Sequence, residues 1–214
     1  MNSLKQEVYI VGGGTSLIGK DLKKLENKNT IVINKSLLFV PNPTYYVTLD
    51  YTSLKKVPVA GQKVNKIFVA NMKSLKEQNG ALFDPSCKLI YTQLHSVFDM
   101  VLLAKKEEGL GSTWFDFRSG NHSGYAAIQF ALLMGYKTIY LLGYDYCTQN
   151  NKTHFHNAYG HPANHYDKTL KTFCAALITG LRELTKFPHV GIISCSEISL
   201  LNDVLLYKPL EEVL

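Results

Sequence analysis

Histidines are concentrated in one short stretch of the chain. Four of the seven histidines are His154, His156, His161 and His165. Imidazole is the side chain best suited to proton transfer near neutral pH. The cluster therefore predicts a segment that carries a general base. Two alternatives stay open from the residues alone: a zinc site completed by Asp145, or a polar surface loop without catalytic function.

Three consecutive glycines, Gly12 to Gly14, follow an apolar segment near the start of the sequence. Glycine allows a ligand to approach the backbone closely, and the free N–H groups of a following helix attract phosphate. Thr15 or Ser16 can cap that helix. The turn predicts a phosphate-binding site, and the alternative is a tight turn that binds nothing.

Two known nucleotide motifs fit this turn incompletely. The segment Gly14–Lys20 has P-loop spacing, but Asp21 stands where a Mg²⁺-binding hydroxyl belongs. The dinucleotide fingerprint lacks its third glycine, and Asn34 replaces the acid expected after the second strand. Kinase-like ATP hydrolysis and NAD binding are therefore disfavoured.

Apolar strands alternate with helical patterns, and this alternation predicts how the residues above are positioned. Helices are predicted at 17–25, 95–107, 122–134, 165–186 and 196–206. Strands are predicted at 7–11, 30–34, 45–49 (an edge), 66–70, 89–91, 138–142 and 190–193. The predicted fold is Rossmann-like: one three-layer α/β/α domain over residues 1–214, with a mostly parallel sheet and a histidine-rich, lid-like loop at about 144–164.

Ligands of such sheets bind beyond the carboxyl ends of the strands. The glycine turn, Asn34, Asn71 and Gly143 all follow predicted strands. Ser123 and Gly124 begin a predicted helix, whose N-terminus is a second candidate for ligand contact; ordinary capping by Ser123 is the alternative.

Composition narrows the class of protein. Hydrophobic residues make up 46% and charged residues 19%, which is typical of a globular domain. No apolar run approaches the roughly 20 residues that span a bilayer, and no signal peptide is recognisable. The cysteines form no C-x-x-C pair, which favours reduced thiols and a cytoplasmic protein (host cytoplasm if the chain is viral). The net charge of +6 comes almost entirely from lysine, so nucleic acid is not an expected partner.

Two segments carry a resemblance to a known family. Ser123-Gly124-Tyr125, followed by the run from Gly135 through Asp145, resembles the bacterial sialyltransferases of glycosyltransferase family 42. The opening Gly12–Leu17 is similar to the Gly-Asn-Gly-Pro-Ser-Leu of that family. The chain also resembles related phage-encoded and archaeal Rossmann-like proteins, among them archaeal pterin pyrophosphokinases.

The resemblance implies a sialyltransferase-like glycosyltransferase that displaces CMP from a CMP-sugar and transfers the sugar to a glycan or other hydroxyl acceptor, without metal or cofactor. His165 would be the general base, with Tyr166 beside it and Arg118 as a further catalytic residue. The lid would carry His154, His156, Tyr159 and His161. The nucleotide would be held by Gly12, Gly13, Gly14, Thr15, Ser16, Asn34, Asn71, Ser123, Gly124, Gly143 and Asp145.

Two other functions stay open: a pterin pyrophosphokinase-like enzyme and a non-catalytic nucleotide-binding phage protein. A homo-oligomer is also left open.

Overall fold

One parallel sheet organises the chain, and the computed structural model describes it through residues 6–50, 63–71, 98–157 and 163–214. Every neighbouring pair of strands is parallel. The order is β5-β4-β3-β2-β1-β6-β7-β8. The strands are β1 (Glu7–Val11), β2 (Thr30–Ile33), β3 (Tyr45–Thr48), β4 (Asn65–Asn71), β5 (Met100–Ala104), β6 (Thr138–Leu142), β7 (Gly191–Ser194) and β8 (Leu206–Tyr207). The predicted parallel α/β sheet is confirmed.

The chain reverses its direction of travel across the sheet at β1. Strands β2 to β5 add successively on one side of β1, and β6 to β8 add on the other. The loops after β1 and β6 therefore leave the same edge in opposite directions, which opens a crevice between them. The register pairs Val11 with Leu142 at this edge, so the glycine turn and Gly143 are neighbours.

The two faces of the sheet are covered differently. Val8 and Ile10 point to one face, where the helices α1 (Ser123–Leu133) and α2 (Ala163–Leu181) pack. Tyr9 and Val11 point to the other face. In the described part of the chain this second face is covered by short 3₁₀ turns and by α3 (Leu210–Val213).

Helix α1 is buried along most of its length and is fixed by polar contacts as well as by packing. Its Gln129 side chain exchanges two hydrogen bonds with the backbone of Gly111, at 2.8 and 2.9 Å. Its Tyr125 hydroxyl donates to the carbonyl of Gly109 at 2.7 Å. These contacts set where the N-terminus of α1 lies relative to the crevice.

The prediction of a helix at 17–25 is wrong. The segment forms two 3₁₀ turns, Thr15–Leu17 and Leu22–Leu25. Gly19 lies between them with φ +75°, a conformation that interrupts a helix. Leu17, Leu22 and Leu25 are nevertheless buried. The spacing of these leucines therefore predicted their burial correctly but the helical geometry incorrectly.

Three further predictions differ from the structure. Within 95–107, Met100–Ala104 forms strand β5, because an apolar run that short fits either element and pairing with β4 decides it. Within 196–206 there are turns instead of a helix, because Ser199 and Leu200 bond to the backbone of Tyr144 and Asp145. Strand β3 lies inside the sheet, between β2 and β4, and not at an edge. The strand predicted at 89–91 lies outside the described residues.

We expect Gly12→Ala to destabilise the fold. The Gly12 N–H donates to the Leu142 carbonyl at 2.8 Å, and an added Cβ would lie 2.6 Å from the Gly143 carbonyl oxygen. Backbone cannot yield as a flexible side chain does, so the free energy of unfolding should fall by about 1–3 kcal/mol. Urea denaturation measures this.

Gly191→Ala is the matched control, since an added Cβ there meets nothing within 4 Å. It should change the free energy of unfolding by less than about 0.5 kcal/mol. Equal effects of the two substitutions would contradict the close approach of the turns after β1 and β6.

Candidate functional site

A cavity of about 250 Å³ opens at the crevice between the ends of β1 and β6. Its walls come from the glycine turn, the residue after β2, the N-terminus of α1, the loop after β6 and the first turns of α2. The structure thereby brings together many of the predicted site residues: Gly12, Gly13, Gly14, Asn34, Ser123, Gly124, Gly143, Asp145, His154, His156 and Tyr166.

Asp145 clamps the glycine turn from across the crevice. Its carboxylate accepts hydrogen bonds from the Ser16 N–H at 2.8 Å, the Ser16 hydroxyl at 2.6 Å and the Thr15 hydroxyl at 3.2 Å. The expectation that this turn offers free N–H groups is therefore wrong for Ser16. Neither Thr15 nor Ser16 lines the cavity; both hold the turn in place through Asp145.

The Gly13 N–H takes no part in the hydrogen bonds that hold the glycine turn in place. The Gly12 N–H donates to Leu142, and the Gly14 N–H donates to the Gly143 carbonyl at 2.9 Å. The Gly13 N–H has no hydrogen-bond partner among the described residues, and Gly13 lines the cavity. It is the amide of this turn that a ligand can use.

The N-terminus of α1 meets the same cavity. The first N–H groups of a helix have no partner within the helix, and those of Ser123 and Gly124 are the first two here. A Cβ on Gly124 would lie 3.2 Å from His122 Nδ1 and 3.3 Å from the Tyr146 hydroxyl, so a side chain would crowd this wall. The helix therefore presents uncommitted backbone donors and the positive end of its dipole to the cavity.

His122 caps α1, and sequence reasoning missed it in favour of Ser123. Its Nδ1 accepts from the Tyr125 N–H at 3.1 Å, so the other nitrogen carries the proton. Burial lowers the pKa of His122 to about 3, and a backbone contact with Phe173 opposes this only weakly. The cap is thus a neutral imidazole at physiological pH. Its place directly before a helix-opening Ser-Gly was the available sequence signal.

Ser123 links α1 to the ends of β2 and β3 instead. Its hydroxyl accepts from the Leu49 N–H at 3.1 Å and donates to Asn34 Oδ1 at 3.2 Å. Asn34 Oδ1 also accepts from the Thr48 hydroxyl at 2.7 Å. Each of these hydroxyls also accepts a backbone N–H, from Leu49 and Asp50 respectively, and both are placed to donate to Oδ1. This fixes the amide and leaves Asn34 Nδ2 without a partner among the described residues.

The loop after β6 rests on the glycine turn through the segment 153–156. The Phe155 N–H donates to the Gly13 carbonyl at 3.0 Å, and a Cβ on Gly13 would lie 2.6 Å from the His154 ring. The His154 ring lies 5.3 Å from that of Tyr166, on α2. Opening and closing of this loop as a lid stays a prediction.

The His156 ring stacks beside the His154 ring, with 5.5 Å between the ring centroids. Burial, and to a lesser extent the nearby charge of Lys35, lowers the pKa of His156 to about 4. The ring is therefore neutral at pH 7 but a weak base. It is better suited to packing and hydrogen bonding than to abstracting a proton.

Some predicted site residues do not meet at the cavity. Arg118 binds the Asp116 carboxylate at 3.2 Å and the Glu108 carbonyl at 3.0 Å, and it does not line the cavity. Its predicted catalytic role has no support in this geometry, because its charge is used to hold the loop before α1.

Other predicted residues cannot be placed in full. For His165, in the first turn of α2, and for Asn71, at the end of β4, only the backbone is described. Tyr159 and His161 lie outside the described residues. In the described ranges, no group of three His, Cys, Asp or Glu side chains could hold a metal ion.

Several cavity residues were not singled out from the sequence. Tyr144 and Tyr146 are buried, and that burial raises the pKa of both hydroxyls. Asp50 lies near Tyr166, where its charge adds to the burial that raises the pKa of that phenol. The remaining ones are Ile33, Ser36, His122, Cys147, Thr153, Leu170 and Phe173.

The sheet order and the crevice define a Rossmann-like α/β protein. Its fold matches the solved structure of the MAf glycosyltransferase from Magnetospirillum magneticum AMB-1, with a TM-score of 0.59 and 16% sequence identity. The match covers 99% of this chain and 35% of that protein. No protein-family model matches the chain, and a search of curated proteins found no match. At this identity the likeness shows the fold. Of the helices in the described ranges, none is long and apolar enough to cross a membrane.

We expect His122 to make stability fall with decreasing pH. Its folded pKa of about 3 lies below the unfolded value of about 6.5. The stabilisation is complete above the unfolded pKa and is lost as pH falls towards the folded pKa. Over that window one such histidine contributes up to about 1.4 kcal/mol per pH unit.

His122→Asn keeps a capping side chain and removes the titrating group. Urea denaturation from about pH 6 to about pH 4.5 should show a shallower decrease for this variant, with His156 accounting for part of what remains. His189→Asn, which changes an exposed histidine outside the cavity, controls for the substitution. An unchanged slope in His122→Asn would refute the buried neutral cap.

Proposed function

We propose that the chain is a glycosyltransferase that binds a nucleotide sugar, most simply a CMP-sugar, in the cavity between β1 and β6. The observation that carries this proposal is the meeting of two sets of uncommitted backbone N–H groups at one cavity. They come from the N-terminus of α1 and from Gly13. Such donors suit a phosphate that changes its charge during the reaction.

The expected position of the CMP phosphate follows from which charged groups already have hydrogen-bond partners within the protein. The Asp145 carboxylate accepts three hydrogen bonds from the glycine turn, so its charge is compensated within the protein. The neutral His122 cap adds no charge of its own, and the helix dipole supplies partial positive charge at Ser123 and Gly124. A CMP phosphate in front of α1 would accept hydrogen bonds from the N–H groups of Ser123 and Gly124 and would lie close to Gly13.

Asn34 Nδ2 supplies a donor for the nucleoside. Two hydroxyls fix the amide from behind, so its remaining N–H groups are oriented before any ligand binds. Orientation before binding lowers the entropic cost of recognition. A ribose hydroxyl or a carbonyl of cytosine matches this donor.

His165 is the base in this proposal. Tyr166, the next residue of α2, lines the cavity, whereas the lowered pKa of His156 makes that ring a weak base. An acceptor hydroxyl would attack the anomeric carbon while its proton passes to the imidazole. The bond from that carbon to the phosphate oxygen would break, and CMP would leave with the electron pair. The shared fold of the MAf glycosyltransferase supports the proposal.

We expect CMP to perturb the amides that the cavity exposes. In protein labelled with ¹⁵N-glycine, CMP should shift the resonances of Gly13 and Gly124, because their N–H groups would bind the phosphate. Gly135 and Gly191, outside the cavity, should not move. Cytidine should cause smaller shifts at Gly124 than CMP. No shift at either Gly13 or Gly124 at millimolar CMP would overturn the proposed nucleotide site.

We expect His165→Ala to separate turnover from binding. With CMP-sialic acid, the donor that the family resemblance suggests, CMP release should fall by roughly 10²–10⁴-fold, the contribution typical of a general base. The CMP-induced shift of Gly124 should persist. His189→Ala is the control and should retain turnover. Unchanged turnover in His165→Ala would exclude it as the base, and CMP binding without turnover in the parent protein would indicate a non-catalytic nucleotide binder.

A further inference from the structure

The cavity wall contains carboxylates and histidines, and no lysine or arginine among the residues that the structure describes. Its acidic side chains are Asp50 and Asp145. Its basic side chains are His122, His154 and His156. Proteins commonly place a lysine or an arginine against a bound phosphate. In this wall, only a histidine can supply that positive charge.

Two of the three histidines are poorly suited to carry a charge. Burial lowers the pKa of His122 to about 3. Burial, and then the nearby charge of Lys35, lowers the pKa of His156 to about 4. Both rings are therefore neutral at pH 7, and Lys35 itself does not line the cavity. The remaining basic side chain of the described wall is His154.

The His154 ring lies against Gly13, whose N–H is the amide of the glycine turn that a ligand can use. A Cβ built on Gly13 would lie 2.6 Å from His154 Cδ2 and 3.5 Å from His154 Nε2. Standard bond lengths then place Nε2 within roughly 6 Å of the Gly13 nitrogen. One phosphate, which forms hydrogen bonds of about 2.9 Å through different oxygens, can span that separation.

The other nitrogen of the His154 ring is held by a hydroxyl. Nδ1 lies 2.8 Å from the Thr153 hydroxyl oxygen. A hydroxyl can donate to a neutral ring and can equally accept from a protonated one, so this contact tolerates both states. The Phe155 N–H donates to the Gly13 carbonyl at 3.0 Å, which ties the backbone on the far side of His154 to the glycine turn. Nε2 is therefore the ring nitrogen placed nearer to the proposed phosphate.

We propose that His154 takes up a proton when a phosphate binds at Gly13, and that its imidazolium stabilises the phosphate as it leaves. This inference rests on the proposed function and adds a residue to the same site. The proton comes from solvent on binding and stays on Nε2 throughout the reaction. His165 accepts the proton of the attacking hydroxyl, so the two histidines have separate roles.

The charge of the phosphate explains why such a cation would favour the reaction. The phosphodiester of a nucleotide sugar carries one negative charge, and the CMP that leaves gains a second one. An imidazolium attracts the departing dianion more strongly than the bound diester. Interactions that strengthen as the bond breaks raise the rate of the chemical step.

The groups around His154 define the pH range for a test. The described ionisable groups near it are Asp50, Asp145, Cys147, His156 and Tyr166, with Lys35 near His156. Burial raises the pKa of Cys147 and of Tyr166, and the His156 ring is already neutral. CMP is mostly a dianion above about pH 7, and histidine is mostly neutral there. Binding that requires protonated His154 should therefore weaken as the pH rises above that value.

Isothermal titration calorimetry with CMP tests this between about pH 7 and about pH 8.5. The Kd of the parent protein should rise roughly 10-fold over this range, because each pH unit removes up to tenfold of the protonated ring. Tris and HEPES buffers should give different enthalpies at the same pH, which reveals proton uptake. His154→Gln keeps a polar side chain but cannot take up the proton. Its Kd should change less than about 2-fold over the same range, without proton uptake.

His189→Gln, at an exposed histidine outside the cavity, is the matched control and should behave like the parent. ¹⁵N-histidine NMR of the parent protein gives a second measurement that needs no folded variant. At about pH 7.5, where histidine is mostly neutral, CMP should convert the His154 ring to its imidazolium form. A CMP affinity of the parent that does not change with pH would overturn the role of His154. So would a pH dependence that His156→Gln removes and His154→Gln retains.

Sulfate separates this inference from the proposed function, because it is a dianion throughout the pH range of the test. If CMP shifts Gly13 and Gly124 with an affinity that does not depend on pH, the nucleotide site stands and the role of His154 falls. If sulfate binds with proton uptake that His154→Gln abolishes, while CMP causes no shift, the His154 anion site stands and the CMP site falls. No binding of either ligand overturns both.

Discussion

The site depends on one buried interaction, the clamp between Asp145 and the turn after β1. Asp145 has 1% of its surface exposed, and its carboxylate accepts two hydrogen bonds from Ser16 and one from Thr15. A buried carboxylate is costly unless such donors compensate it. The clamp therefore fixes the separation of the two loops that diverge from the edge of the sheet, and the cavity is the space left between them.

The electrostatics of the cavity follow from this clamp. A glycine turn beside a parallel strand would ordinarily offer its amides to an anion, but here the protein supplies the anion itself at Ser16. Among the described residues, the N–H groups left for a ligand are those of Gly13 and of the start of α1. There the neutral His122 caps the helix without adding charge. A phosphate in the cavity would therefore interact with backbone N–H dipoles, whose orientation the fold sets.

Much of the fold could be predicted from the sequence, because buried parallel strands are continuous apolar runs and because their carboxyl ends share one edge. That reasoning placed the glycine turn, Asn34 and Gly143 together, as the structure does. It failed where a distant partner decides the outcome. Residues 100–104 pair with β4, and Ser16 bonds to a carboxylate 129 residues away. His122 and Arg118 were misjudged for a different reason. Their partners, the Tyr125 N–H and the Asp116 carboxylate, are near in sequence, but residue type alone does not tell which nearby group each side-chain nitrogen will bond to.

The strand order also constrains how the chain reaches its native state. Strand β1 lies inside the sheet, and its partner β6 and the Asp145 that secures its turn follow about 130 residues later in the sequence. During synthesis the edge of β1 that pairs with β6 therefore stays unpaired until the residues of β6 have been made. Such high contact order slows folding and leaves apolar strands open to misassociation. Completion of the crevice is therefore expected to be a late event, coupled to the joining of the two halves of the sheet.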